Sequence, residues 1–136
     1  MSSPLPKKLG IKPGMRGLIL GAPDGYTASL KPLPEAFSIT TKSSGTHDFV
    51  QVFATKLSQV GAFAANLPKI VSLNALVWVS YPKQSSKIET DLNRDIVWKE
   101  MNLAGWRGVS IIAIDETWSA LRVRPANLVR SKSRRR

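Results

Sequence analysis

The 136-residue chain contains no cysteine and only one histidine, His47. The first absence removes disulfides, thiolate nucleophiles and sulfur-ligated zinc or iron–sulfur sites. The second excludes two- and three-histidine metal centres and leaves a Ser-His-acid triad one residue to use. Within the polar run Gly-Thr-His-Asp, His47 reads as a solvated loop residue. No apolar run approaches the ~20 residues that span a bilayer. The start, MSSPLPKK, has no charged-then-apolar leader pattern. A cytoplasmic protein without a metal site is the expectation.

Acids are scarce: nine stand against twenty Lys and Arg, for a net charge of +11. Position matters more than the total. Arg130, Lys132, Arg134, Arg135 and Arg136 lie in the last seven residues, and Lys7, Lys8, Lys12 and Arg16 in the first sixteen, with no acid in either stretch. Removing those five and four cations leaves +2 for residues 17–129. A DNA-reading face across the whole domain is therefore not implied. The tail SKSRRR can graze phosphates non-specifically, with salt-sensitive affinity, but offers no aromatic residue for base stacking.

With 43% hydrophobic and 21% charged residues, the composition is that of a chain that folds, and its length fits one domain. The organisation reads as a lead-in over residues 1–15, a domain over 16–125 and a basic tail over 126–136. Pro4, Pro6 and Pro13 break up the lead-in. RGLILGA from Arg16 reads as a strand buried on both faces. At most a turn or two of helix fits around Tyr26 to Leu30, since Pro32 and Pro34 follow. Phe37–Thr41 and Phe49–Ala54 read as strands flanking a Ser-Ser-Gly turn at 43–45. The spacing of Val60, Ala64, Leu67 and Val71 predicts a helix over 58–71, capped by Ser58 and kinked or split by Pro68. ALVWVSY, residues 75–81, is the strongest strand, and Pro82 ends it. After the loop KQSSKIET, a helix is predicted over 91–104, with Thr90 or Asp91 as cap and Gly105 as the left-handed stop. Val109–Ile114 and Ser119–Arg124 complete the elements as a closing hairpin.

Strands alternating with helices imply a mainly parallel sheet covered on both faces. Ligands in such sheets bind outside the carboxyl ends of the strands, where the strand order reverses. The residues of interest thus follow Leu20, Phe53, Ser80 and Ile114. Candidate cleft residues are Gly21, Pro23, Asp24, Tyr81, Lys83, Arg94, Asp115, Trp118 and Arg122. Asp115 and Glu116 are adjacent, so on an extended chain they point to opposite sides, which argues against a paired acid–base mechanism. Asp115 suits a turn, accepting backbone N–H bonds or pairing with Arg94 or Arg122. Asp91, Arg94, Asp95 and Trp98 share one face of the predicted helix. The spacing of Tyr81 and Lys83 does not match that of short-chain dehydrogenases. Of the four tryptophans, Trp106 is the one expected at the surface.

KKLGIKPGMRGLILGAPDGY, WVSYPK, TDLNRDIVW and IDETWSALRVR together resemble an uncharacterised bacterial family, the domain of unknown function numbered 3052, over about Leu5 to Pro125. A second resemblance is to S-adenosylmethionine-dependent methyltransferases, carried by a PG-strand-Gly order, a strand, a helix and VWVSYP. It implies a single Rossmann-like three-layer domain, a mainly parallel sheet of about six strands ending in an antiparallel hairpin.

That family places G-x-G-x-G after the first strand and an acid after the second. Here the turn reads Gly21, Ala22, Pro23, Asp24, Gly25, and Thr41, Lys42 and Ser43 follow the second strand. Pro23 offers no N–H, so the turn reads as stiff and short of donors. The expectation is a non-enzymatic domain without a cofactor, binding a small anion or a protein partner. A degenerate methyltransferase-like enzyme is the first alternative, and a nucleic-acid accessory protein acting through its basic ends the second.

Overall fold

The structure, a computed structural model, describes residues 5–30, 33–42 and 45–126. From residue 127 on, the basic tail, with Arg130, Lys132, Arg134, Arg135 and Arg136, lies outside the described residues, as do Ser43 and Ser44 of the expected turn. The elements run α1 (Leu5–Leu9), β1 (Arg16–Leu20), α2 (Tyr26–Ser29), β2 (Ser38–Thr40), β3 (His47–Phe53), α3 (Leu57–Ile70), β4 (Val71–Pro82), α4 (Arg94–Leu103), β5 (Trp106–Ala113) and β6 (Trp118–Pro125).

Six strands form one sheet in the order β2-β1-β3-β4-β6-β5. The first four are parallel, while β6 runs antiparallel to both β4 and β5. The expected three-layer Rossmann-like architecture with a closing hairpin is what the chain adopts.

Alternation along the strands divides the core in two. Leu18, Val50, Val52, Val77, Val79, Leu121 and Val123 face α3 and α4, where Val60, Leu67, Val97 and Met101 meet them. Ile19, Phe49, Phe53, Trp78 and Trp118 face the other way, toward Leu9, Tyr26 and Leu30. Full burial of one such side chain stabilises by ~1.5–3 kcal/mol.

Several local expectations are corrected. The lead-in is not bare: α1 packs on the sheet, Leu9 is buried, and the Trp78 indole N–H donates to the Leu9 carbonyl at 3.0 Å. His47 is no loop residue. It opens β3, has no solvent exposure, and donates Nδ1–H to the Ile70 carbonyl at 3.1 Å. The polar residues around it misled, because pairing with Val71 of β4 decides its place.

Ser58 does not cap α3. Gln59 Oε1 instead accepts from the amides of Thr55 and Lys56, and Asp91 Oδ1 accepts from the Leu57 amide at 2.9 Å. Pro68 does not split α3, which runs unbroken over Leu57–Ile70; its missing N–H removes one i→i−4 bond, and the helix ends two residues later. Helix α4 begins at Arg94 and is capped by Asn93, whose side chain accepts from the Ile96 amide at 2.9 Å. Gly105 takes the left-handed conformation at φ +91°. Trp106 is buried, and Trp98 is the exposed tryptophan, at 42%. No helix among the described residues is long and apolar enough to cross a membrane.

Candidate functional site

Strand β1 stands between β2 and β3, so the strand order reverses at its carboxyl end. There the chain makes a tight turn. Gly21 has φ +71° and lies so close to β3 that a Cβ would come within 2.8 Å of the Phe53 carbonyl oxygen. Gly25, at φ +82°, has open space around it. Helix α2 closes back on the turn: the Tyr26 amide donates to the Pro23 carbonyl at 3.1 Å and the Ser29 amide to the Gly25 carbonyl at 3.1 Å. A cleft of about 350 Å³ opens over this turn, lined by residues 21–25 with Ile19, Thr27 and Thr41. Its size is in the range of small-ligand sites.

The turn is less donor-poor than its proline suggested. Pro23 contributes no N–H, yet the amides of Ala22, Asp24 and Gly25 donate to no backbone carbonyl among the described residues. Asp24 is the one carboxylate in the lining, and Thr41, not an acid, takes the place after β2.

Beneath the turn runs a buried polar chain. The Tyr26 hydroxyl donates to Gln51 Oε1 at 2.8 Å, and Gln51 Nε2 donates to Ser80 Oγ at 3.0 Å. Desolvation pushes the Tyr26 phenol well above its ordinary value, outweighing the Gln51 bond, so it stays protonated and donates. The Tyr26 and Phe53 rings meet edge-on at 4.6 Å, and Phe53 and Trp118 at 5.0 Å. An aromatic row thus joins the turn to the start of β6.

The sequence-predicted cleft residues do not all meet. Gly21, Pro23 and Asp24 line the cleft. Trp118 borders the same end of the sheet, and Asp115 lies beside it at the hairpin tip. There Asp115 Oδ1 accepts from the amides of Thr117 and Trp118, both at 2.8 Å, which ties its carboxylate to the turn.

Tyr81 packs in the core facing α3 and α4, on the opposite side of the sheet. Burial raises its phenol, with Arg94 partly offsetting the effect. Arg94 is exposed, and its one ion pair among the described residues is with Asp95, at 3.4 Å, where solvent screens it. Asp91 precedes α4 and caps α3, so it does not share a helix face with Arg94, Asp95 and Trp98. The Lys83 amide donates to the Thr117 carbonyl at 2.7 Å. Arg122 lies within β6, four residues past Trp118, away from the cleft. Sequence reading missed Thr41, Gln51 and Ser80. Only the parallel register brings Gln51 beside Trp78 and Phe53 beside Ser80. Among the described residues no group of three or more His, Asp or Glu can hold a metal ion.

No protein-family model and no curated protein matches the sequence. Solved structures do match in fold. The chain is similar to DhpI in its complex with SAH, with a TM-score of 0.62 and 12% identity, over 90% of this chain and 82% of that one. It is similar to Aeropyrum pernix fibrillarin with natively bound S-adenosyl-L-methionine, with a TM-score of 0.58 and 12% identity, over 90% and 69%. A SAM-dependent methyltransferase from Aquifex aeolicus gives a TM-score of 0.56 and 13% identity, over 86% and 85%. The methyltransferase-type Rossmann fold is thereby shown. These neighbours overturn the expectation of a non-enzymatic domain that binds a small anion or a protein partner. Of the readings drawn from the sequence, the methyltransferase-like one fits them.

Proposed function

We propose that the protein is a methyltransferase-like enzyme that binds S-adenosylmethionine in the cleft over Gly21–Gly25. The observation carrying this reading is the turn itself: a glycine pressed against Phe53, free amides, and a cleft at the strand-order reversal. The residues present suit the group. The amides of Ala22, Asp24 and Gly25 offer donors, and the Asp24 carboxylate can accept from an ammonium or a ribose hydroxyl. Thr41 offers a hydroxyl on the β2 side in place of the family's acid. Such neighbours as the SAH-bound DhpI and the SAM-bound fibrillarin support the assignment. When bound, S-adenosylmethionine supplies an electrophilic methyl group on a sulfonium. The protein's share is then alignment and water exclusion, tasks that need no paired acid and base. We also propose kinship with the domain of unknown function numbered 3052, supported by the four motifs KKLGIKPGMRGLILGAPDGY, WVSYPK, TDLNRDIVW and IDETWSALRVR.

Isothermal calorimetry with S-adenosylmethionine and S-adenosylhomocysteine tests it. One site of micromolar affinity, weakened in Asp24→Asn, is expected. No heat from either ligand at millimolar concentration would overturn the proposal.

A further inference from the structure

The β5–β6 hairpin gathers arginine on one face. Arg107 of β5 is paired directly with Arg124 of β6, and Arg122, two positions along β6, is paired with Ser110. Directly opposed residues share a face, and so do residues two apart on a strand. Arg107, Arg122 and Arg124 therefore project from the same side of the sheet. That side is the one carrying Trp78, which Arg122 also faces across the β4–β6 ladder. Leu121 and Val123, on the reverse side, fill the core against α3 and α4.

Like charges directly opposite each other destabilise a sheet, yet no acid relieves them here. The only salt bridge among the described residues is Arg94–Asp95. Arg122 Nε is buried without a hydrogen-bond partner, and desolvation, followed by the nearby Arg124, makes its proton easier to lose. Lys8 of α1 reaches the same hairpin, donating Nζ to the Ala113 carbonyl at 3.1 Å.

We infer that this face is a docking surface for the phosphodiester backbone of a nucleic-acid substrate. Guanidinium groups are suited to phosphate oxygens by their forked donors. The separation from the cleft end favours a polymer. At ~3.4 Å per residue, Arg122 stands ~14 Å along β6 from Trp118, so one ligand must be extended to reach both. Its role in substrate docking depends on the methyltransferase reading; the binding itself does not.

The test is fluorescence anisotropy with a labelled single-stranded RNA of about 20 nucleotides and a DNA of the same sequence, between about 50 and 200 mM salt. The full chain is compared with R107Q/R124Q and with R134Q/R135Q/R136Q. In R107Q/R124Q, the slope of log affinity against log salt should fall in magnitude by ~1.4, with affinity down roughly tenfold. Equal loss on RNA and DNA supports the shared phosphodiester as ligand, and a larger loss on RNA supports it with a ribose contribution.

An unchanged slope in R107Q/R124Q, or complete loss in the tail variant alone, would overturn the assignment. So would competition by low-millimolar inorganic phosphate, or binding to phosphatidylserine vesicles without binding to either oligonucleotide. S-adenosylmethionine calorimetry on the same samples separates the two readings. Its heat should persist in R107Q/R124Q. Absent heat with intact RNA binding sinks only the enzymatic reading.

Discussion

Tyr26 and Gln51 are joined by a buried 2.8 Å hydrogen bond that fixes the first residue after the Gly21–Gly25 turn onto the centre of the sheet. Removing the hydroxyl while keeping the ring isolates that link. Tyr26→Phe leaves Gln51 Oε1 without its donor in a dry site, at a cost of ~1–3 kcal/mol. Urea unfolding should show the loss, and calorimetry should show weakened S-adenosylhomocysteine binding if the turn loosens with it.

Gly21 and Gly25 both have positive φ but differ in surroundings. Gly25→Ala meets only backbone strain, ~1–2 kcal/mol. Gly21→Ala adds a collision with the Phe53 carbonyl oxygen, 2.8 Å from the new Cβ. Thermal melts should rank Gly21→Ala below Gly25→Ala, and Gly21→Ala should also lose ligand binding.

Asp48 governs part of the acid limb. Its carboxylate accepts from the Arg16 amide at 3.0 Å and the Ser72 hydroxyl at 2.8 Å, and these bonds hold its pKa below the ordinary 3.8. A folded-state pKa below the unfolded one gives stability that is present above pH 3.8 and lost as pH falls through the folded value. Asp48→Asn should be less stable than the parent at neutral pH and decline less steeply in acid. Denaturation midpoints across the acid range measure both.

Asp91 caps a helix to which it does not belong. Asp91→Ala frees the Leu57 amide and should destabilise by ~0.5–2 kcal/mol, read as a lower urea midpoint at constant m-value. Asp91→Asn, which retains an acceptor oxygen, should lose less.

The contrast between Asp91 and Gly105 shows what a linear reading reaches. Gly105 was legible because a left-handed stop is a property of one residue and its immediate neighbours. The role of Asp91 was not, because its partner lies thirty-four positions earlier. Strands β1 and β4 were legible from continuous apolar runs, whereas His47 was misplaced because the register of β3 against β4 overrides a polar local context. Gly21, Pro23 and Asp24 were found by the rule that ligands gather at carboxyl ends. Gln51 and Ser80 carry no such mark. The near-neutral body charge concealed a cationic face, since a sum over residues does not record which side of a strand they occupy.

Helix α3 ends at Ile70 and β4 begins at Val71, with no residue between them. This seam has no slack, so an added residue must either rotate the helix or slip the strand, and a slip exchanges the faces of Val77 and Trp78. Epitope tags and reporter grafts should therefore be rejected at the seam and tolerated within residues 84–89, between the Lys83 amide bond to Thr117 and the Thr90, Asp91 and Asn93 bonds that hold the helix starts.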